Sequence, residues 1–211
     1  AQKAVEKVKL GFDTLKIKVG TGIEADIARV KAIREAVGFD IKLRLDANQA
    51  WTPKDAVKAI QELADYQIEL VEQPVKRRDL EGLKYVTSQV NTTIMADESC
   101  FDAQDALELV KKGTVDVINI KLMKCGGIHE ALKINQICET AGIECMIGCM
   151  AEETTIGITA AAHLAAAQKN ITRADLDATF GLETAPVTGG VSLEAKPLLE
   201  LGEAAGLGIS H

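Results

Sequence analysis

Residues 43–51, Leu-Arg-Leu-Asp-Ala-Asn-Gln-Ala-Trp, decide the fold. Side chains alternate along a β-strand, so the pattern predicts a strand over 41–47 with Leu43 and Leu45 on one face and Asp46 on the other. A carboxylate at the end of a buried strand costs free energy unless a partner compensates its charge. Asp46 therefore needs a partner.

Asp46 has two ordinary interpretations and one functional one. Its carboxylate could cap the following helix, or it could pair with Arg44. The functional interpretation is favoured because acids recur at the ends of later predicted strands. Glu72 ends Ile-Glu-Leu-Val-Glu, 26 residues after Asp46, and Asp97 follows Thr-Ile-Met-Ala, 25 residues after Glu72.

Lysines continue the same spacing in both directions. Lys16 and Lys18 lie in Leu-Lys-Ile-Lys-Val, with Lys18 28 residues before Asp46, and Lys121 ends Val-Ile-Asn-Ile-Lys, 24 residues after Asp97. A period in the mid-twenties fits one strand, one helix and two loops. The carboxyl ends of successive parallel strands in a barrel share one mouth, so these charges should meet there.

The whole chain follows this strand–helix alternation and predicts an α/β fold, a TIM-type (β/α) barrel. A closed barrel of this kind needs eight strands, so we expect one more strand before Ala1. An open doubly wound sheet is disfavoured because Val-Gly-Thr-Gly-Ile at 19–23 lacks the third glycine of a dinucleotide-binding loop. Strands are predicted at 14–19, 41–47, 68–73, 92–97, 115–121, 143–149 and 173–177, and helices at 1–11, 23–37, 52–66, 79–90, 102–112, 128–141 and 155–168, with a short helix-like piece near 194–205.

Composition limits the classes of partner. The 211 residues are 47% hydrophobic, which suits one domain over 1–211 with a large aliphatic core. A net charge of −7 and a pI near 5.1 argue against nucleic acid or an anionic membrane surface as partner. Five cysteines without a C-x-x-C pair predict reduced thiols and a cytoplasmic location.

The predicted mouth has the chemistry of a metal-assisted acid–base site. Asp46, Glu72 and Asp97 would repel one another there unless they held a cation, and a set of hard oxygen donors favours Mg²⁺ or Mn²⁺ over Zn²⁺. Lys16 and Lys18 face the same side of one strand, which is rarely a packing choice. Crowded positive charge favours the neutral amine, and a neutral lysine can act as a base. The alternative for Lys16, and for Lys121, is a simple salt bridge to one of the acids.

These motifs together resemble the muconate-lactonizing subgroup of the enolase superfamily. They are Lys-Ile-Lys at 16–18, Asp-Ala-Asn at 46–48, Val-Glu-Gln-Pro at 71–74, Ala-Asp-Glu-Ser at 96–99 and Asn-Ile-Lys at 119–121. The resemblance implies a modified (β/α)7β barrel that lacks its first strand in this chain. It also implies a separate N-terminal capping domain, so 1–211 would be the C-terminal catalytic barrel domain, and we expect a homo-oligomer.

The resemblance also implies roles for individual residues. Asp46, Glu72 and Asp97 would bind one Mg²⁺ per active site, which Mn²⁺ could replace. Lys18 and Lys121 would act as acid and base on opposite faces of a substrate α-carbon through an enediolate, with Lys16 assisting by its charge. The metal charge would stabilise the negative charge that forms on the carboxylate oxygens.

Asp175 and Asp177 narrow the expected substrate. Asp-Leu-Asp at 175–177 resembles the D-x-D signature of dipeptide epimerases, in which the acids hold the free ammonium group of the substrate. The resemblance then implies an isomerase that inverts the C-terminal residue of a dipeptide, such as L-Ala-D/L-Glu in murein peptide recycling. The alternative is a helix cap and a salt bridge to Arg173 or Lys169.

Other interpretations stay open at this point. An o-succinylbenzoate synthase, cycloisomerase or N-acylamino acid racemase would share the lysines and the three metal-binding acids but would not need Asp175 and Asp177. A Schiff-base lyase would use Lys121 as nucleophile and would not need three clustered acids. A third possibility is a non-catalytic barrel that serves in assembly. Glu152, Glu153 and Thr154 could touch a peptide, whereas we expect His163 to be structural and His129 to be solvated.

Overall fold

A computed structural model describes residues 1–178, 187–193 and 197–210. The chain divides into two compact units. The first contains Ala1–Ser99 and Leu109–Val117, and the second contains Cys100–Glu108 and Ile118–His211. No helix within the described residues has the length and apolar character needed to cross a membrane.

The first unit has parallel strands separated by helices, and the sequence explains the element boundaries. Helix α3 begins after Thr52, whose hydroxyl accepts the Asp55 N–H, and it has Pro53 in its first position, where the missing N–H costs nothing. A 3₁₀ turn at Ala64–Tyr66 follows it. The strands are β1 (Thr14–Lys18), β2 (Lys42–Asp46), β3 (Ile68–Glu72) and β4 (Thr93–Ala96), and the helices are α1 (Gln2–Lys9), α2 (Ile23–Val37), α3 (Pro53–Glu62) and α4 (Leu80–Gln89).

The register of these strands brings their carboxyl ends level with one another. Lys18 of β1 pairs with Asp46 of β2, and Asp46 pairs in turn with Glu72 of β3. The strands β1 to β4 are parallel neighbours in chain order. Apolar side chains on both faces of the sheet, such as Leu45 on one face and Leu70 on the other, are fully buried. The level register therefore sets charged residues of three strands side by side.

The second unit repeats the pattern. Strands β6 and β7 are parallel, and Gly148 pairs with Asp175. Short antiparallel pairs follow, β8 with β11 and β9 with β10. The strands are β5 (Val117–Lys121), which begins in the first unit, β6 (Glu144–Gly148), β7 (Ile171–Asp175), β8 (Thr188–Gly189), β9 (Ser192–Leu193), β10 (Leu199–Glu200) and β11 (Ile209–Ser210), and the helices are α5 (Ala103–Lys112), shared between the units, α6 (Leu122–Cys125), α7 (Ile128–Thr140) and α8 (Thr155–Ala167).

The strand–helix alternation predicted from the sequence is confirmed, with β1 to β7 hydrogen-bonded in chain order. The predicted helix 23–37 has the observed bounds of α2. The last strand was predicted two residues late, because Ile171 is buried and pairs with Cys145. The helix predicted near 194–205 is wrong at Leu199–Glu200, which forms β10, while 194–196 lie outside the described residues.

Candidate active site

The two lysines of β1 stand against the carboxylates of the next two strands. Lys18 Nζ donates to Asp46 Oδ2 at 2.5 Å and to Asn48 Oδ1 at 2.8 Å. Lys16 Nζ lies 4.0 Å from Asp46 Oδ2 and 3.8 Å from Glu72 Oε2. The Lys18 side chain is 63% exposed, whereas the Asp46 carboxylate is 1% exposed. The structure thus brings four of the predicted site residues together, with the acids buried and the amine of Lys18 accessible.

Asp46 does not cap the helix that follows it. That cap is Thr52, and Asp46 Oδ1 instead accepts the N–H of Asn48 at 3.0 Å. Arg44, the other ordinary partner considered, donates to Glu69 at 2.6 Å. The charge of Asp46 is compensated by Lys18 and Lys16, so Asp46 belongs to a cluster of opposite charges at the strand ends.

The side-chain amide of Gln73, the residue after Glu72, connects the end of β3 to the backbone of Asp97 after β4. Gln73 is fully buried, and its Oε1 accepts the N–H of Asp97 and the N–H of Ser99, each at 3.0 Å. Its Nε2 donates to the Val75 carbonyl at 3.0 Å and to Ser99 Oγ at 2.8 Å. Both donors and both acceptor sites of the amide are therefore satisfied. Sequence reasoning missed this residue, although a polar side chain directly after a buried strand acid was a usable signal.

The carboxylates Asp46, Glu72 and Asp97 are at most 2% exposed. Among residues 1–178, 187–193 and 197–210, no three or more histidine, cysteine, aspartate or glutamate side chains are arranged as a metal site requires. The cation that stands between Asp46 and Glu72 in this structure is the ammonium of Lys16. By donor chemistry the three acids suit Mg²⁺, since all their ligand atoms are hard oxygens.

Lys121 lies in the second unit, at the carboxyl end of β5. Its side chain is 9% exposed, so it is the most buried of the three lysines that the sequence selected. Helix α6 begins immediately after it, and Lys124 of that helix donates to the Asn119 carbonyl at 3.0 Å. The chain turns sharply at this point, which keeps Lys121 at the strand end.

Asp175 and Asp177 lie beside Cys149 in the second unit. Asp175 ends β7, Asp177 is exposed two residues further on, and Cys149 Sγ lies 3.9 Å from Asp177 Oδ1. Burial raises the pKa of the Cys149 thiol to about 11, and the charges of both aspartates act in the same direction. Cys149 is therefore a neutral thiol next to Asp177, and the charge of Asp175 also acts on it. Arg173, one alternative partner, donates to Glu144 at 2.6 Å.

The loop between β6 and α8 is closed by Glu153. This residue is 3% exposed, and its Oε2 accepts the Met150 N–H at 3.1 Å. A Cβ at Gly157 would lie 2.4 Å from Glu153 Oε1, so any larger residue there would force the Glu153 side chain to move. Glu152 and Thr154, the other two residues that could touch a peptide, are exposed. Of the histidines, His129 is exposed as expected and His163 is half-buried in α8.

Comparisons with known proteins show which proteins this chain resembles. The chain is 49% identical over 99% of its length to an L-Ala-D/L-Glu epimerase of Clostridium acetobutylicum, of which it covers 58%. A substrate-liganded structure of the L-Ala-D/L-Glu epimerase of Bacillus subtilis matches 99% of this chain and 58% of its own, with TM-score 0.96 and 52% identity. A dipeptide epimerase of Cytophaga hutchinsonii, complexed with Mg and D-Ala-L-Val, matches all of this chain and 57% of its own, with TM-score 0.96 and 38% identity.

Residues 1–211 match the profile of the enolase C-terminal domain-like family. The chain belongs to this family, and the resemblance to the enolase superfamily drawn from the motifs is confirmed. The chain spans less than three-fifths of the length of the relatives named above.

Proposed function

We propose that the protein is a dipeptide epimerase of the L-Ala-D/L-Glu type, an isomerase that inverts the α-carbon of the C-terminal residue by a two-base 1,1-proton transfer through an enediolate. The observation that carries the proposal is the convergence of Lys16, Lys18, Asp46 and Glu72 at level strand ends. It occurs in a chain 52% identical to an epimerase of that specificity. Recycling of murein peptides is the matching biological role.

The two proton-transfer groups would be Lys18 and Lys121. A neutral lysine removes the α-proton from one face, and a protonated lysine returns a proton to the other face, so the two residues exchange roles when the reaction reverses. Lys18 is suited to this because its amine is accessible while its partners Asp46 and Asn48 fix its position. Lys16 would stabilise developing negative charge by its own positive charge.

Asp46, Glu72 and Asp97 would hold Mg²⁺, and Mn²⁺ could replace it because it has a similar preference for oxygen ligands. When bound, the metal ion supplies positive charge that stabilises the substrate carboxylate as its α-proton leaves. The three acids support this role because they are almost fully buried and two already share a cation, Lys16. Gln73 would keep Asp97 and Glu72 in place through its bonds to the backbone.

Asp175 and Asp177 would bind the free ammonium group of the dipeptide. Two carboxylates beside one neutral thiol form a negative site for a cation of that size. Replacing Asp177 by Asn should raise the KM for dipeptides strongly, whereas a cycloisomerase, synthase or N-acylamino acid racemase would lose little. An Asp177→Asn enzyme with unchanged KM for dipeptides would favour those relatives.

The test is hydrogen exchange in D₂O, followed by NMR, with the protein expressed from its whole gene. L-Ala-L-Glu and a panel of other dipeptides are incubated with enzyme and Mg²⁺, and the α-proton of the C-terminal residue is followed. We expect exchange with inversion, and EDTA should abolish it. Lys18→Ala should remove the exchange of one epimer, and Lys121→Ala should remove the exchange of the other. Absence of exchange on every dipeptide would reject the proposal, and EDTA-resistant activity with borohydride trapping at Lys121 would favour a Schiff-base lyase.

We further infer that β1 to β7 are strands of a modified (β/α)7β barrel, because the strand–helix units follow one another in chain order. A cytoplasmic location is supported by five free cysteines. The homo-oligomer stays a prediction from the sequence resemblance.

A further inference from the structure

The glycine loop that follows Lys18 binds an internal anion. Asp26 in the first turns of α2 is fully buried, and its Oδ2 accepts the N–H of Gly20 at 2.7 Å and of Gly22 at 3.4 Å. Its Oδ1 accepts the N–H of Thr21 at 3.3 Å and the Thr21 hydroxyl at 3.1 Å. The Gly-Thr-Gly loop is weak as a sequence motif for a phosphate site, and here its backbone donors bind a carboxylate of the same chain.

The same carboxylate reaches the loop that follows Asp46. Trp51 Nε1 donates to Asp26 Oδ2 at 3.4 Å, and the indole is 5% exposed. Gly20 has φ +105, and a Cβ there would lie 2.4 Å from the Ala50 Cβ, so only glycine permits the two loops to approach so closely. Burial alone would raise the pKa of Asp26, but its hydrogen bonds outweigh burial and lower it, so the group is ionised at neutral pH.

Arg29 connects this buried carboxylate to the lysine. One turn further along α2, Arg29 Nη1 lies 2.9 Å from Asp26 Oδ1 and donates to the Lys18 carbonyl at 3.1 Å. The next backbone N–H, that of Val19, donates to the Asp46 carbonyl at 3.0 Å. The backbone on the carboxyl side of Lys18 is thus held by α2 and by β2.

We propose that Asp26 and Arg29 are positioning residues for the Lys18 amine, acting through the Lys18 backbone and the glycine loop. The proposal rests on the proposed function, in which Lys18 serves one face of the substrate. Neither residue needs to contact substrate. Loss of Asp26 or Arg29 should let the Lys18 amine move away from Asp46 and Asn48. Proton transfer on the face of the α-carbon that Lys18 serves should then slow more than transfer on the face that Lys121 serves.

The chain offers matched controls for both changes. Arg34, on the same helix, is 1% exposed and donates to the carbonyls of Gly38 and Ile41, at the amino end of β2. Asp116 accepts the Ile94 N–H at 2.8 Å, at the amino end of β4. Arg34→Met and Asp116→Asn therefore repeat the chemistry of Arg29→Met and Asp26→Asn at the opposite ends of the strands.

The experiment compares these four variants of the whole protein below their melting temperatures. Exchange in D₂O is measured from each epimer separately, and the Lys18 epimer is the one whose exchange Lys18→Ala abolishes. In Asp26→Asn and Arg29→Met we expect the exchange rate of the Lys18 epimer to fall about ten-fold more than that of the opposite epimer, because small misplacements of a reacting group slow the reaction strongly. Reductive methylation of Lys18, followed by mass spectrometry, should become about two-fold faster as its amine is released from the ion pair with Asp46. Arg34→Met and Asp116→Asn should leave unchanged both the ratio of the exchange rates of the two epimers and the methylation rate of Lys18.

Arg29→Met guards against loss of folding, because Arg29 is 37% exposed and its replacement keeps the aliphatic stem. An equal fall for both epimers, with Lys18 methylated at the wild-type rate in folded Arg29→Met, would overturn the positioning role. Failure of the wild-type protein to exchange any dipeptide would reject the proposed function instead. The methylation rates would then decide the positioning role by themselves.

Discussion

The two ends of strands β1 to β4 treat buried charge in different ways. At the carboxyl ends, side-chain charges of opposite sign pair with each other, as in Lys18 with Asp46 and Lys16 with Glu72. At the amino ends, Arg34 and Asp116 bond instead to backbone groups, although Arg44 within β2 still pairs with Glu69 near the start of β3. Arg34 donates to the carbonyls of Gly38, Ile41, Tyr66 and Gln67 at 2.6 to 3.1 Å.

The difference separates function from stability. Backbone carbonyls cannot leave the fold, so a guanidinium bound to four of them contributes to stability and is not free to meet a ligand. The buried Asp46 carboxylate can exchange the Lys18 ammonium for another cation, because the new partner keeps the buried charge compensated while the exposed lysine returns to water. Changes to Lys16 and Lys18 should therefore mainly affect activity, and changes to Arg34 should mainly affect stability.

The largest expected effect is at Lys18. Lys18→Met keeps the stem of the side chain but removes the group that transfers a proton, so epimerisation should slow by about 10³-fold. The melting temperature should stay close to that of wild type, because the Lys18 side chain is 63% exposed and Asp46 keeps Lys16 and the Asn48 N–H as partners. Initial rates and a thermal melt of the same sample measure both. A variant that unfolds readily would show that the carboxyl end also carries stability.

Arg34→Met tests the amino ends. It should lower the free energy of unfolding by about 3 kcal/mol, since it leaves several buried carbonyls without their donor. Urea unfolding gives this value, and activity per folded molecule should not change. Lower activity in fully folded protein would break the comparison.

Asp26→Asn should show a smaller effect on stability that depends on pH. The pKa of Asp26 is lowered below its ordinary value of 3.8, so the carboxylate stabilises the fold fully above that value and loses its contribution as pH falls through the lowered pKa. The free energy of unfolding of the wild type should exceed that of Asp26→Asn by about 2 kcal/mol at neutral pH. The asparagine amide would place its N–H donor against the N–H groups that the carboxylate accepts. Unfolding curves from pH 7 to pH 2.5 should converge, and a constant difference would exclude ionisation as the cause.

The smallest expected effect is at Asp116. Asp116→Ala removes one part-buried hydrogen bond to the Ile94 N–H and should cost about 1 kcal/mol of unfolding free energy, with no change in epimerisation rate. Thermal melts beside Arg34→Met would rank the two amino-end contacts. Equal losses of stability in Asp116→Ala and Arg34→Met would mean that the burial of Arg34 adds nothing to the stability of the fold.

The sequence predicted the strand–helix repeat and the convergence of Lys16, Lys18, Asp46 and Glu72, because alternation and regular spacing are local patterns. It placed β7 two residues late, since Arg-Ala-Asp-Leu-Asp alternates as well as the true strand and only the pairing of Ile171 with Cys145 sets the register. The convergence of the three predicted metal-binding acids remains a prediction.

The contacts of Asp26 and Gln73 were not predicted from the sequence, for a different reason. They depend on loops with unusual backbone angles, such as φ +105 at Gly20 and φ +37 at Gln73, which side-chain patterns do not report. The acid in α2 was hidden among apolar helix positions. A Gly-Thr-Gly turn followed by an acid four residues later was the available signal.

The fully satisfied amide of Gln73 has a consequence for the gene. A glutamine codon changes by one base only to codons for Lys, Glu, His, Leu, Pro, Arg or a stop signal. None of these side chains offers two N–H donors and an oxygen that accepts twice, as the backbone of Asp97, the backbone and hydroxyl of Ser99 and the Val75 carbonyl require. Every point mutation that alters this amino acid therefore breaks the network, so random mutagenesis of the gene should recover functional variants at neighbouring positions before it recovers any here.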